Sequence, residues 1–232
     1  MINIIDKRDC CGCYACICIC PQQCIKMQSD EEGFWYPVAD VDTCINCSLC
    51  ELVCPIIVKE DIVAYNVESL AYACINTDEQ IRRQSSSGGL FTVLAEQIIN
   101  NNGVVFGAVF DDEFNVVHSW TDCLEELNKF RGSKYVQSRV GDTYQVALNF
   151  LKQGRQVLFS GTPCQIAGLR SYLGKNYDGL FLVDIICHGV PSPHIWHRYK
   201  KQLEERFKAK AQKINFRSKS CGWKLYSVSF FF

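Results

Sequence analysis

The sequence predicts an α+β protein: a small cysteine-rich unit at the N terminus, followed by an α/β domain built on a mostly parallel sheet. Eleven of the sixteen cysteines lie between Cys10 and Cys54, and only Cys74, Cys123, Cys164, Cys187 and Cys221 are spread over the rest. From Ser69 onward apolar runs alternate with stretches of helical spacing, the signature of an α/β unit. At 232 residues the chain has room for one full domain and one small one. The fall in cysteine density sets the boundary near residue 60, giving units 1–60 and 61–232.

Composition narrows the function classes. Twenty-four Lys and Arg against twenty-five Asp and Glu leave a formal charge of −1, and no basic stripe marks a nucleic-acid face, so no nucleic-acid partner is expected. Met1–Ile5 is too short for a signal segment, and no apolar run approaches the roughly 18 residues of a membrane span. A cytoplasmic protein is expected, and sixteen cysteines in such a chain point to metal ligation rather than disulfides.

Cys10, Cys13, Cys16 and Cys20 with Pro21 follow the run C-x2-C-x2-C-x3-C-P, and Cys44, Cys47, Cys50 and Cys54 with Pro55 repeat it without departure. Three thiolates two residues apart lie on one tight loop that wraps a cubane, and the fourth ligand comes from the other repeat, as in two-cluster ferredoxins. Two [4Fe-4S] clusters are therefore expected, one on Cys10, Cys13, Cys16 and Cys54, the other on Cys44, Cys47, Cys50 and Cys20. Structural zinc is disfavoured, because it closes with two pairs of ligands and has no use for a third cysteine plus a distant Cys-Pro. Cys11, Cys18 and Cys24 fall outside the pattern and read as packing thiols. Ile17, Ile19, Ile25, Ile45, Leu49 and Val53 are expected to form an apolar shell that keeps water off the clusters. Residues 33–38 read as a short strand.

In the larger unit, Leu70–Cys74 reads as a first strand, Leu90–Ile99 as a helix behind the turn Ser85–Gly89, and Val104–Phe110 as a buried strand that turns at Asp111 toward Val116–His118. Tyr144–Leu151 reads as a helix, Gln156–Ser160 as a strand, and Ile166–Leu173 as a helix. The run Leu180–Ile186 is the most strand-like present, and a helix follows from Ser192 to Phe207. Loops after parallel strands gather along one sheet edge, where open α/β folds bind ligands.

Ser85, Ser86, Ser87, Gly88 and Gly89 at a helix start offer free N–H groups to a phosphate, although an ordinary cap would look the same. Ser133, Lys134 and Tyr135, behind Arg131 and Gly132, add two cations and a hydroxyl in a loop that alone reads as a solvated turn. Gly161-Thr162-Pro163-Cys164-Gln165 is more specific: the glycine permits a sharp strand-to-helix turn, and Cys164 falls where a helix start lowers a thiol pKa. For Cys187-His188-Gly189, a reactive pair and a buried cysteine beside a turn-capping histidine are equally compatible with the sequence. His118, His194 and His197 show no ligand spacing and are expected to be structural or solvent-facing.

Four of these segments occur in an order that resembles the coenzyme F420 hydrogenase/dehydrogenase beta-subunit family. They are Ser85–Gly89, Arg131–Ser138, Gly161–Leu169 and Asp184–Pro193. In this branch a ferredoxin module precedes the family domain, as it does here. The resemblance implies an iron–sulfur flavoprotein oxidoreductase that binds FAD and passes electrons between [4Fe-4S] clusters and a small-molecule hydride acceptor, coenzyme F420 or similar. It also implies a redox partner protein or subunit. Thr162 and His188 join the Ser85–Gly89 and Ser133–Tyr135 loops as expected flavin contacts, and Cys164 and Cys187 are expected beside the flavin as gating thiols or as ligands of a further cluster. The competing reading is a ferredoxin-like electron carrier without flavin that serves a partner enzyme. Family members usually run longer, and Ser229–Phe232 reads like the middle of a strand, so the sequence is expected to be a fragment.

Overall fold

The computed structural model describes residues 1–58 and 69–232. The expected unit boundary near residue 60 lies outside the described residues.

Within residues 1–58, two short helices follow the two cysteine loops: α1 (Ala15–Ile19) and α2 (Leu49–Leu52). Between them, β1 (Ile25–Ser29) and β2 (Trp35–Ala39) pair antiparallel from Ile25 opposite Ala39 to Ser29 opposite Trp35. The hairpin turns at Gly33, whose φ of +83° suits glycine. Sequence reading finds β2 but not β1, because Ile25-Lys26-Met27-Gln28-Ser29 buries only its first residue and shows no alternation.

The larger part carries a four-stranded sheet in the order β4-β3-β5-β6, formed by β3 (Val104–Phe110), β4 (Val116–Thr121), β5 (Val157–Gly161) and β6 (Leu180–Asp184). β3, β5 and β6 run parallel, and β4 is an antiparallel edge. Central strands of such sheets are covered on both faces, and alternate residues of β3 and β5 feed two separate cores. Val104, Phe106, Val157 and Phe159 face α5 (Thr143–Lys152) and α6 (Pro163–Leu173), while Val105 and Leu158 face α4 (Leu90–Asn100), which follows the short α3 (Glu79–Gln84), and the 3-10 segment Leu124–Phe130. A third core joins Val116 and Val136 to Trp196 of α7 (Pro193–Phe207) and to Ile214 and Phe216 of β7 (Lys213–Ser218). β7 pairs with β8 (Ser227–Phe231), so the Phe-rich C-terminal run is indeed strand.

Three expectations are corrected. Leu70–Cys74 forms no strand; Leu70 and Tyr72 are exposed, and this stretch instead lies against the Ser85–Gly89 turn, where Asn76 N–H donates to the Gly88 carbonyl at 2.7 Å. The α6 helix begins at Pro163, not Ile166, because Thr162 and Gln165 form a capping box and proline suits a first helical turn. β6 ends at Asp184, two residues short of the expected run, and leaves Ile185 and Ile186 exposed.

The cysteine-rich part rests on the larger one. Cys13, Tyr14, Ala15 and Cys18 enter the same core as Tyr144, Ile166 and Leu169. Polar contacts set the register: Gln145 Nε2 donates to the Cys18 carbonyl at 2.8 Å, the Gln137 amide brackets the Trp35 backbone, and Ser192 Oγ donates to the Glu32 carbonyl at 2.7 Å.

Candidate functional site

The two cysteine loops share one backbone device. In the first, Gly12 and Tyr14 on either side of Cys13 have φ of +62° and +69°; in the second, Asn46 and Ser48 on either side of Cys47 have φ of +53° and +58°. Left-handed residues on both sides of the middle cysteine curl the loop tightly, which is why glycine and asparagine occupy two of the four positions.

Each loop closes over a cavity, and each cavity takes its fourth motif cysteine from the other repeat. One is lined by Cys10, Cys13, Cys16 and Cys54, with Ile2, Ile4 and Met27 as apolar wall. The other is lined by Cys44, Cys47, Cys50 and Cys20. All eight motif cysteines are thus sorted into the two exchanged sets. Cys11 joins the first cavity and Cys24 the second, where its sulfur lies 3.4 Å from that of Cys20. Cys18 alone of the three extra thiols packs away from both, donating to the Gly141 carbonyl at 3.2 Å.

Among the described residues no group of three or more His, Cys, Asp or Glu side chains is placed to hold a single metal ion. Four thiols lining one volume are a setting that a multi-iron cluster could take. Burial pushes the Cys16 thiol up to about 12, so without a cation it would remain a neutral thiol. A bound iron would supply the compensating charge, since a coordinated thiol is deprotonated outright. The apolar shell is uneven: Ile25 and Val53 are buried, whereas Ile45 and Leu49 line the second cavity yet are exposed, so the expected shielding by these two fails.

The turn before α4 and the loop after the 3-10 segment Leu124–Phe130 meet. Ser133 N–H donates to Ser86 Oγ at 2.6 Å, tying the Ser133–Tyr135 loop to the Ser85–Gly89 turn, and Arg131 reaches Thr92 and Gln84. Gly89 caps α4 in a left-handed conformation. Among the described residues no carbonyl or side chain accepts from the N–H groups of Ser86, Ser87, Gly88 or Gly89. Added Cβ atoms would press on Cys74 at Gly88 and on Asn76 at Gly89. Lys134 is not a free cation: its ammonium is buried against the carbonyls of Phe130, Arg131 and Gly132, and burial pulls it down to about 8. Tyr135 is half exposed, its ring set edge-on against Phe216.

The Thr162–Gln165 turn sits on the first cysteine loop. Gly168 of α6 approaches Cys13 so closely that an added Cβ would lie 2.9 Å from the Cys13 Cβ. Cys164 faces Cys11, and its thiol is pushed up, not down as the helix start suggests, because that neighbouring thiol and burial outweigh the helix dipole. Cys187 and His188 are exposed, and the Cys187 sulfur accepts from Gly189 N–H at 3.4 Å. Cys164 and Cys187 follow adjacent strands paired at Gly161 and Asp184, yet among the described residues no hydrogen bond joins their sulfurs.

A buried chain of polar groups missed by sequence reading holds this turn. Gln165 Nε2 donates to Ser138 Oγ at 2.7 Å, Ser138 Oγ meets His118 Nδ1 at 3.1 Å, and His118 Nε2 faces the Ser160 carbonyl at 3.3 Å. A carbonyl only accepts, so Nε2 carries the proton and Nδ1 accepts from the serine. Gln165 Oε1 in turn accepts from Thr162 N–H at 2.9 Å. The only sequence trace of this chain is that His118 falls inside an apolar strand.

Residues 154–229 match the family described as the C terminus of the coenzyme F420 hydrogenase/dehydrogenase beta subunit. An uncharacterized ferredoxin from Methanocaldococcus jannaschii is 38% identical over 52 residues, which cover 22% of this chain and 66% of that protein. A chain of the F420-reducing [NiFe] hydrogenase complex from Methanosarcina barkeri is similar in structure at 16% identity and a TM-score of 0.43, over 67% of this chain and 58% of that one. The chain thus spans less than two thirds of either relative's length.

Proposed function

We propose that the chain is an iron–sulfur electron-transfer subunit of the coenzyme F420 hydrogenase/dehydrogenase beta-subunit family, with two [4Fe-4S] clusters. One observation carries the reading: two four-cysteine cavities, each made by three cysteines of one repeat and the fourth of the other. Cys10, Cys13, Cys16 and Cys54 hold one cluster, and Cys44, Cys47, Cys50 and Cys20 the other. Residues 1–60 form the ferredoxin unit, and 61–232 the family domain.

The finer reading is an oxidoreductase in which FAD lies over the Ser85–Gly89 turn, between the clusters and a two-electron acceptor such as coenzyme F420. Clusters move electrons singly and a hydride acceptor takes two, so a carrier of one or two electrons belongs between them. The unaccepted N–H groups of Ser86 to Gly89 at the start of α4 support a phosphate there, with Ser133 and Tyr135 on the facing loop. Lys134 contributes by shaping that loop through its carbonyls rather than by contacting phosphate. Thr162, Cys164, Cys187 and His188 complete the same edge, the two thiols beside the flavin.

Anaerobic purification followed by iron, sulfide and cofactor analysis tests both levels. About eight irons per chain and one FAD are expected. One or two metal atoms would end the cluster reading, and full iron without flavin would leave an electron carrier alone. Replacing Gly88 and Gly89 together with valine should expel the flavin while leaving iron unchanged.

A further inference from the structure

The two cysteine repeats have the same spacing and the same backbone turns, yet the fold treats them oppositely. The first loop is covered: Gly12, Cys13, Tyr14, Ala15 and Cys16 are all buried, most of them under α5 and α6. From Val41 to Leu49 the second loop is exposed at every residue except Cys44, Cys47 included. The difference comes from what lies on top of each loop and not from the motif.

The exposed side is also apolar at its centre and acidic at its rim. Val41, Ile45 and Leu52 are 65%, 59% and 66% exposed, a concentration of large apolar surface beside the second cavity. From Met27 to Val58 the chain has six carboxylates and neither lysine nor arginine. Of the six, Asp40, Asp42 and Glu51 flank the second cavity, next to its lining residues Ala39, Cys44 and Cys50. Glu51 meets the N-terminal ammonium at 3.4 Å, while among the described residues Asp40 and Asp42 pair with no base.

We propose that this face, centred on Cys47, is the docking surface for a one-electron carrier protein with a basic rim, and that the second cavity is the outer station of the chain while the first, against Cys164, is the inner one. The inference rests on the reading of both cavities as cluster sites. An apolar centre excludes water at the point of transfer, and the carboxylate rim steers a cationic partner into place without holding it, as a transient redox encounter requires. The first loop is instead packed against the larger part, with α6 at Cys13 and the Gln137 amide at Gly12.

Cytochrome c, a basic one-electron protein, is the probe. The dithionite-reduced protein, freed of excess dithionite by anaerobic gel filtration, is mixed with ferric cytochrome c at low ionic strength, and ferrous haem is followed by stopped flow. Each encounter moves one electron from the protein to haem iron, with no bond made or broken. D40K/D42K should slow the reaction at least about tenfold, and the wild-type rate should fall steeply with salt. E205K, which reverses an exposed charge on α7, should stay within about twofold of wild type. Equal rates in all three proteins at full iron content would overturn the docking surface, whereas a wild-type iron content well below about eight would remove the cluster reading beneath it. Carbodiimide cross-linking of the wild-type protein to cytochrome c gives a second readout that no variant can confound. Links at Asp40, Asp42 or Glu51 are expected, and links confined to carboxylates elsewhere would overturn the proposal.

Discussion

His118 shows how one side chain can carry a positional role that no motif announces. Its ring stacks on Phe159 at 5.6 Å, and its two nitrogens are used by Ser138 and Ser160. Burial, with Lys134 nearby, pulls it down to about 4 from an ordinary 6.5, so the folded protein holds it neutral. Protonation therefore favours the unfolded chain: stability is unaffected above about pH 6.5 and falls as pH drops toward 4, by at most about 3 kcal/mol. Urea denaturation of wild type and His118→Phe should show the stability gap between them narrowing from pH 7 to pH 4.5; a gap constant with pH would mean that the ring is solvated. Cys54 is the other decisive residue. Because it lines the cavity of the first repeat, Cys54→Ser should cost the cluster held by Cys10, Cys13 and Cys16 and leave the other in place. Electron paramagnetic resonance of that variant showing loss of the second-repeat signal alone would reverse the ligand assignment.

At the scale of elements, α6 matters because it is both the helix behind the Thr162–Gln165 turn and the lid on the first cysteine loop. Gly168 is where the two surfaces touch, with Cys13 and the Tyr144 hydroxyl both about 3 Å from the position of an added Cβ. Gly168→Val should overpack this contact and cost roughly 1–3 kcal/mol. Its distinctive sign would be iron: the first-cavity cluster should become labile to chelator while the second keeps its iron, as followed by visible absorbance against time. Equal lability of both would separate α6 from cluster protection. The hairpin of β1 and β2 docks by similar means, with Gly33 pressed against His194 at the start of α7 so that no side chain fits between them. Gly33→Ala should therefore loosen the Gln137–Trp35 bracket, measurable as faster amide exchange at Trp35.

For the whole molecule, the cysteine-rich part has little to hold it besides the proposed clusters and its seat on the larger part. Helices of five and four residues are far below the length that is stable alone, and the hairpin has two strands only. Removing iron should thus expose residues 10–20 and 44–54 to amide exchange, and the loss should reach α5 and α6 through Cys13 and Tyr14 while β3 and β5 stay protected. The repeated C-x2-C-x2-C-x3-C-P spacing was legible in the sequence, as were the apolar runs of β3, β5 and the core-facing helices, since ligand geometry and hydrophobic period are local properties of the chain. Leu70–Cys74 shows the limit of that legibility: a strand-like run forms a strand only if a neighbour presents free backbone groups, and here the partner is a turn. The shift of Cys164, the seclusion of Lys134 and the polar chain through His118 were also beyond reach, because each depends on residues far off in sequence. Most of all, the inequality of the two cysteine loops is a tertiary decision. Cysteine spacing prescribes two near-identical loops with exchanged fourth cysteines, whereas the packing of α5 and α6 over one of them settles which is buried and which meets solvent.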